Sequence, residues 1–514
     1  MIEIFRASSC RPTPRSLHSL HWITTALGAL AIAALAISSA PAVAQQSALK
    51  MGLVLEPPTL DPTAGAAAAI DEIVYANVFE GLTRYAEDGT IRPGLAASWT
   101  ISEDGLTYTF ALQEGVSFHD GARFEAADVV FSFQRAVEEG STNAQQGLFE
   151  PIESVVAEGD TTVVITLKRP TGAFLQNLGW GDMVIVDPAS AETNGTDPVG
   201  TGPFRFVEWR KGSSVDLARF DDYWGEPAAL ETVTFQFIPE PTAAFAAMMA
   251  GDLDAFANFP APENIPLFEA DARFSVVVGS TEGETILAMN NASEPLSNPL
   301  VRRAISHAIN RQDIIDGAMF GLGTPIGTHF APHNPAYVDL LDSYPYDPEQ
   351  ARAMLAEAGY PDGFSASLML PPPSYARRGG EIVAAQLREI GIDVQITNVE
   401  WAQWLSDVFK ETSYDFTIVS HTEPMDIGIY ARDDYYFNYD SPEFKALIAQ
   451  LNETADPAAR TELLQAAQRK ITEDAVNVYL FQLAKAGVWN EKLEGLWSNS
   501  PVQANDVTGV RWTD

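Results

Sequence analysis

Five histidines lie beyond the first 44 residues (His119, His307, His329, His333 and His421) and offer the imidazoles that could ligate a metal or move a proton. The one pair four apart, His329 and His333, is interrupted by Pro332, which argues against a helix there and so against a shared metal. No G-x-S-x-G elbow, H-E-x-x-H pair, G-x-x-x-x-G-K loop or G-x-G-x-x-G turn occurs. Neither a catalytic constellation, a metal site nor a cofactor is therefore expected. Two other groupings can bind rather than react. Arg377 and Arg378 stand together in a chain with few basic residues, and a guanidinium fork suits a carboxylate, unless the pair is a helix-start surface feature. Trp401 and Trp404 are three apart on an expected helix, so one face can carry both rings.

The elements that must position these groups alternate between helix and strand throughout, which implies an α/β fold with mixed sheets. A first strand is expected over 49–55, ended by Pro57-Pro58, with further strands at 106–112, 163–167 and 214–219. Helices are expected at 126–138, 242–250 and 300–316, the last capped by Asn298-Pro299. Asp347-Pro348-Glu349-Gln350 has the form of a capping box. Between 380 and 420 the pattern predicts a helix over 381–390, a strand over 392–399, a helix over 401–410 and a strand over 414–419. Such alternation implies parallel strands, whose carboxyl ends face the ligand. The loop after Val419, His421-Thr422-Glu423-Pro424-Met425-Asp426-Ile427-Gly428, is thus the best-placed functional segment.

The first 44 residues read as a secretory leader: Arg6, Arg11 and Arg15, then an apolar run over 22–37, then Ala42-Val43-Ala44. Cys10, the only cysteine, precedes the apolar run, so neither a lipid anchor nor a disulfide is expected in the mature protein. The net charge of −38 becomes −40 when three arginines and one glutamate leave with the leader. So acidic a surface disfavours nucleic acid and anionic membranes. The 470 residues that follow are enough for two or three domains.

Several stretches carry a resemblance: "EPPTLDP", "YANVFEGLTRY", "PGLAASWTISEDGLTYTFALQEGVSFHDG", "ADVVFSFQRA", "GTGPFRFVEWRKGSSVDLARFDDYWG", "PLSNPLVRRAISHAINRQDIIDGAMFGLGTP" and "YDPEQARAMLAEAGYPDGF". In order and spacing the chain resembles the family 5 solute-binding proteins of ABC importers, which carry peptides, nickel and opines. The resemblance implies a two-lobed periplasmic-binding-protein-like fold (type II, large cluster). The first lobe would comprise 45–287 and 485–514, with an extra subdomain at about 83–197, and the second lobe 288–484. It also implies a monomer in the periplasm that hands a small molecule to permease subunits in the inner membrane.

The same resemblance places the cavity at Glu56, Pro58 and Thr59 in the first lobe and at His421, Thr422, Glu423 and Asp426 in the second. Asp426 is the counterpart of an aspartate that takes a ligand's amino terminus, and Arg377 or Arg378 of an arginine ahead of a helix that clamps the ligand carboxylate. Trp180, Trp401, Trp404, Tyr430, Tyr435 and Phe437 would add aromatic walls. The loop departs from the dipeptide-binding pattern, with His421 near the place of a tryptophan, so nickel-chelate, opine and sugar ligands stay open beside peptides. A sensor or chaperone-like module reusing the fold is the alternative from another class.

Overall fold

The computed structural model describes residues 46–513 apart from Ala66, Pro424, Met425 and Ala455. The expected leader and Cys10 lie outside the described residues, and among the described residues no helix is long and apolar enough to cross a membrane. From Gln46 onward the chain forms one unit built on a single eleven-stranded mixed sheet. The axis of that sheet is an antiparallel pair of long strands, Phe274–Met289 and Asn477–Asn490.

On one side of the pair lie Ala255–Phe256, Ala48–Leu53, Thr232–Phe237, Ser214–Arg219 and Phe204–Arg210. On the other lie Phe416–His421, Phe364–Leu370 and Ile392–Asn398. Each side has its own core. Leu49, Met51, Phe79, Phe204 and Phe235 pack with Trp489 and, from the carboxyl-terminal tail, Val507, Val510 and Trp512. Leu287, Met289, Leu368, Phe416 and Leu480 pack beneath the helices that flank the other side. A separate four-stranded antiparallel sheet, Ala96–Ile101, Thr107–Leu112, Thr162–Leu167 and Ile152–Ala157, is covered by the helix Ala126–Val137 and has a third core around Phe110, Phe118 and Phe133.

Local chemistry explains where most elements begin and stop. The first strand is parallel to Thr232–Phe237, and at Gly52 the ring of Phe256 comes within 2.2 Å of where a Cβ would stand, so only glycine fits. Asn298 accepts from the Leu300 N–H, and Asp347 from the N–H groups of Glu349 and Gln350, as their positions lead one to expect. The helix Pro241–Ala250 ends at Gly251, which is left-handed at φ +76°.

Four expectations are corrected. The helix expected over 300–316 is two, Pro299–Ala308 and Arg311–Met319, because the Asn310 side chain caps the second by accepting from Gln312 and Asp313. The helix expected from Glu381 begins at Ser374, directly after Pro372-Pro373, so Arg377 and Arg378 lie inside it rather than ahead of it. Its Gly379-Gly380 pair is no break: a Cβ on Gly380 would stand 2.4 Å from Leu370 Cδ1, so the glycine lets helix and sheet approach. The strands near 392 and 416 are parallel, as expected, with Phe364–Leu370 between them and paired with each. The segment after Trp401 is α-helical only to Trp404, and Leu405–Lys410 widens into an i→i+5 turn. The last strand of that region runs Phe416–His421, so His421 ends a strand and does not sit in the loop.

Candidate ligand-binding cleft

The segments that follow the carboxyl ends of Ala48–Leu53 and Phe364–Leu370 line a cleft between the two cores. A cavity of about 680 Å³ opens there, walled by Leu53, Val54, Leu55, Glu72, Asn258 and Asn505 from one side and by Pro372, Pro373, Tyr375, Arg377, Arg378 and Trp401 from the other. Pro372 and Pro373 cannot extend the strand ladder, so the backbone turns away from the sheet where the cavity begins. Arg378 reaches across to Glu263, with Nη1–Oε2 and Nη2–Oε1 distances of 3.3 and 3.2 Å. Arg377 spends its Nη2 on Val399 O and Glu400 Oε1, at 3.2 Å each, while its buried Nε has no protein partner. Part of one guanidinium is thus available to an anion.

Beside the cavity lies a cluster of buried acids and imidazoles. Tyr375, a wall residue, accepts the Ser420 N–H at 3.2 Å, one residue from the strand end at His421. His421 pairs directly with Glu284 across the sheet, so both side chains leave the same face. The register of the long pair breaks between Ser280 and Glu284, which re-aims the chain at Glu282 and Glu284. His421 Nε2 is 3.0 Å from the Tyr436 hydroxyl, and its Nδ1 is 3.7 Å from Asp426 Oδ2. The other oxygen of Asp426 is 2.5 Å from Nε2 of the fully buried His329, whose Nδ1 is 3.2 Å from the Tyr430 hydroxyl. Glu282 Oε1 is 2.5 Å from His333 Nε2. Glu284 is only 2 % exposed, and its Oε2 has no hydrogen-bond partner.

The electrostatics follow from this crowding. Burial pushes the Glu284 carboxyl well up, and Asp426, Glu282 and Glu423 push it further. Glu423 is raised by burial and by Asp426. Burial holds His421 down to about 4 against the pull of Asp426, so its imidazole is neutral at pH 7. Among the described residues the ion pairs of Glu282 and Asp426 are with histidines, not with lysine or arginine. Arg377 stands on the same cavity wall as Tyr375, whose hydroxyl joins that wall to the cluster through Ser420.

The expected site residues distribute unevenly. Arg377, Arg378 and Trp401 line the cavity, and His421, Glu423 and Asp426 form the acid–imidazole cluster. The Thr422 N–H donates to Glu423 Oε2 at 3.1 Å, at the edge of that cluster. Other expected contacts turn elsewhere. Glu56 accepts from Trp209 Nε1 and the Gly212 N–H at 3.0 and 2.9 Å, which draws it to a neighbouring hairpin. Pro58 is exposed, and the Thr59 hydroxyl faces Gly195 O at 3.4 Å. Trp404 is buried with its Nε1 donating to Thr417 Oγ1 at 2.9 Å, and its ring meets Trp401 edge-on at 5.6 Å. Tyr430, Tyr435 and Phe437 are buried around the cluster, where they hold imidazoles rather than line the cavity. Trp180 is half-buried against the core of the four-stranded sheet.

Glu72, Glu282, Glu284, His329 and His333 were not among the expected contacts. The two acids, alternating beside the apolar run Ile286-Leu287-Ala288-Met289, are the signal that could have found a buried carboxylate, since a charge in so apolar a strand is rare. His329 and His333 are indeed not on one helix; each meets a separate acid. For a metal, His421, Glu423 and Asp426 offer ligand atoms within 4.8 Å of one another.

Residues 90–439 match the model of the bacterial extracellular solute-binding proteins, family 5. Over 463 residues the chain is 31% identical to the glutathione-binding protein GsiB of Pectobacterium atrosepticum, covering 85% of this chain and 89% of that one. The periplasmic binding protein DppA of Helicobacter pylori, solved with the peptide STSA, superposes with a TM-score of 0.81 at 27% identity, over 91% of this chain and 99% of that one. The binding protein AgaA of A. tumefaciens R10, solved with agropinic acid, gives 0.78 at 25% identity, over 91% and 99%.

Proposed function

The chain belongs to the bacterial extracellular solute-binding proteins of family 5, the non-catalytic capture subunits of ABC transporters, and from that premise we propose that its solute is a peptide or a peptide-like zwitterion. The amino group of the solute enters the acid–imidazole cluster and its carboxylate meets Arg377 in the cavity wall. The observation that carries this reading is the charge pattern at and beside one cavity: four carboxylates without a lysine or arginine partner among the described residues, and the half-exposed guanidinium of Arg377 in the cavity wall. A charge-assisted hydrogen bond at each end would fix the orientation of such a solute. The ligands of the relatives, glutathione, a tetrapeptide and agropinic acid, belong to proteins that this chain resembles.

In this reading the mature protein begins after Ala44, is not lipid-anchored, and works as a monomer beside permease subunits in the inner membrane. Residues 45–287 with 485–514 form the first lobe, including the subdomain at 83–197, and residues 288–484 form the second. The lobes close by bending where the long strands pass from one core to the other.

The test is a thermal-shift panel of di- to hexapeptides, glutathione, opines, sugars and metal chelates in a buffer containing a chelator. A ligand at about 100 times its Kd stabilises the folded state by about 2.7 kcal/mol, enough to move the melting temperature visibly. Zwitterionic peptides or glutathione should respond, and their N-acetylated forms should not. A response confined to sugars or to pre-formed metal chelates would replace this reading with one of those. No response in any class would leave a sensor or chaperone role as the better account.

A further inference from the structure

Resting on the solute-capture reading above, we propose that Glu72 sets the specificity of the cleft, selecting solutes that carry a basic side chain, a guanidinium or an alkylammonium, besides their two charged ends. Among the described residues three charged side chains line the cavity: Glu72, Arg377 and Arg378. Arg377 is answered by Glu400 and Arg378 by Glu263, each at 3.2 Å. Glu72, half-buried on the helix Ala68–Val74, has no such partner. Burial raises its carboxyl above the ordinary value and the Lys485 ammonium draws it back, but no hydrogen bond reaches it. Lys485 itself is spent elsewhere, its Nζ donating to Trp497 O and Asn499 O at 2.8 and 3.3 Å. A carboxylate drawn partly out of water with neither an ion pair nor a donor costs free energy, and a cation from the solute removes that cost.

The surroundings suit a basic side chain rather than a neutral polar one. Leu53, Val54, Leu55 and Pro241 line the same side of the cavity as Glu72. Lysine and arginine lay their methylenes along such an apolar surface and keep the charged head for an acid. From the other side the exposed Trp401 offers a ring face to a guanidinium. The acid is also held in place. Asn505 Nδ2 donates to Glu72 O at 3.0 Å, and Asn77 Nδ2 donates to Ile73 O and Asn505 O at 2.9 Å each. The Val507 N–H closes the frame on Asn77 Oδ1 at 3.0 Å. Glu72 thus belongs to the first core, on an element other than those that carry the acid–imidazole cluster. A zwitterion that satisfies the cluster and Arg377 leaves Glu72 unanswered, and a third, positive group completes the cavity.

The experiment is a calorimetric titration of the leader-free protein with trialanine and with its variants in which each position in turn is arginine or citrulline, the uncharged isostere of arginine. At one position the arginine peptide should bind about 10- to 150-fold more tightly than the citrulline peptide. Glu72→Gln should bring that ratio to about one and leave the citrulline peptide within about twofold of its former affinity. Glu72→Lys should invert the choice, preferring glutamate to glutamine at the same position by about tenfold, a gain that a misfolded chain could not show. Melting curves of the empty variants verify folding. Equal affinity for arginine and citrulline at every position would overturn the proposal, as would a preference that survives Glu72→Gln. So would a loss shared by both peptides, which would make Glu72 a partner of a peptide N–H or of Arg377 in the closed cleft. Agmatine, a guanidinium with an amine and no carboxylate, separates this proposal from the peptide reading. Agmatine bound through Glu72 where no peptide binds would sink the peptide reading alone, trialanine bound without any arginine preference would sink this proposal alone, and silence from both would sink the two together.

Discussion

Replacing Asp426 separates two roles that one carboxylate plays. Oδ1 accepts from His329, while Oδ2 faces the cluster near His421. Asp426→Asn keeps the shape and an oxygen for His329 but removes the charge. A hydrogen bond to a charged group contributes about 1.5–3 kcal/mol, so a solute with a free amino group should bind about 10- to 150-fold more weakly to the asparagine variant. Its folding should hardly change. Asp426→Ala deletes the acceptor as well, and His329 is fully buried, with a side chain 0% exposed. An orphaned buried donor costs about 1–3 kcal/mol, which in a chain of this size lowers the melting temperature by about 1–3 °C.

Calorimetric titration in a chelating buffer is the assay, run with each solute and its N-acetylated analogue on both proteins. The unaltered protein should discriminate strongly between the two forms, and Asp426→Asn should erase most of that discrimination. The reasoning fails if the asparagine variant binds the free amine as tightly as before. It also fails if the acetylated and free forms lose affinity equally, because the carboxylate would then be acting on something other than the amino group.

Other expectations are simpler. Arg377→Ala should weaken solutes ending in a carboxylate by about tenfold and their amides hardly at all, as expected for a half-exposed guanidinium with one free edge. Glu263→Gln removes the ion pair that spans the cleft; with the side chains 34% and 42% exposed, the pair is worth about 0.2–1 kcal/mol, so affinity should fall by at most about fivefold and the difference should vanish in molar salt. His119 donates from Nε2 to Gly202 O at 2.9 Å and accepts the Gly200 N–H on Nδ1 at 3.2 Å, which admits only the neutral ring. Burial holds it at about 4, below the ordinary 6.5, so the folded state binds fewer protons and stability is lost as pH falls from 6.5 to 4. The loss is about 3 kcal/mol, and urea unfolding of His119→Ala should show a correspondingly shallower pH dependence.

Local rules reach some of these residues and miss others for identifiable reasons. Caps such as Asn298-Pro299 and Asp347-Pro348 are legible because the side chain that stops the helix is adjacent in sequence to the N–H groups it satisfies. The start of the helix Ser374–Glu389 is not legible from its own residues. Gly380 inside it is required by the approach of Leu370, a contact from a different strand. The strand Phe364–Leu370 follows a Pro361-Asp362-Gly363 turn, closed by the Gly363 N–H donating to Tyr360 O at 3.1 Å, but its central place comes from pairing on both sides, which no local signal shows. The cavity arginines were found through their rarity. Glu282 and Glu284 are legible only as charges beside an apolar run; that Glu284 meets His421, 137 positions away, depends on the register of the strands Phe274–Met289 and Phe416–His421, which no local signal carries.

That placement bears on how binding is coupled to closure. Glu282 and Glu284 sit on Phe274–Met289 at the register break, where Gln482 Nε2 donates to Thr281 O at 2.8 Å and the strand passes from one core to the other. A positive group that neutralises Glu284 therefore acts on the strand pair proposed above to bend. Arg377 lies on a flanking helix, and its solute contact adds affinity without touching that pair. The two ends of a zwitterion should then have different effects. Amidating the carboxylate should lower affinity but leave the saturated protein as compact as before, whereas blocking the amino group should leave it open even at saturation. Small-angle scattering at saturating concentrations of each analogue measures this directly. Equal compaction by both analogues would refute the coupling through Glu284 and place the closing force elsewhere in the cleft.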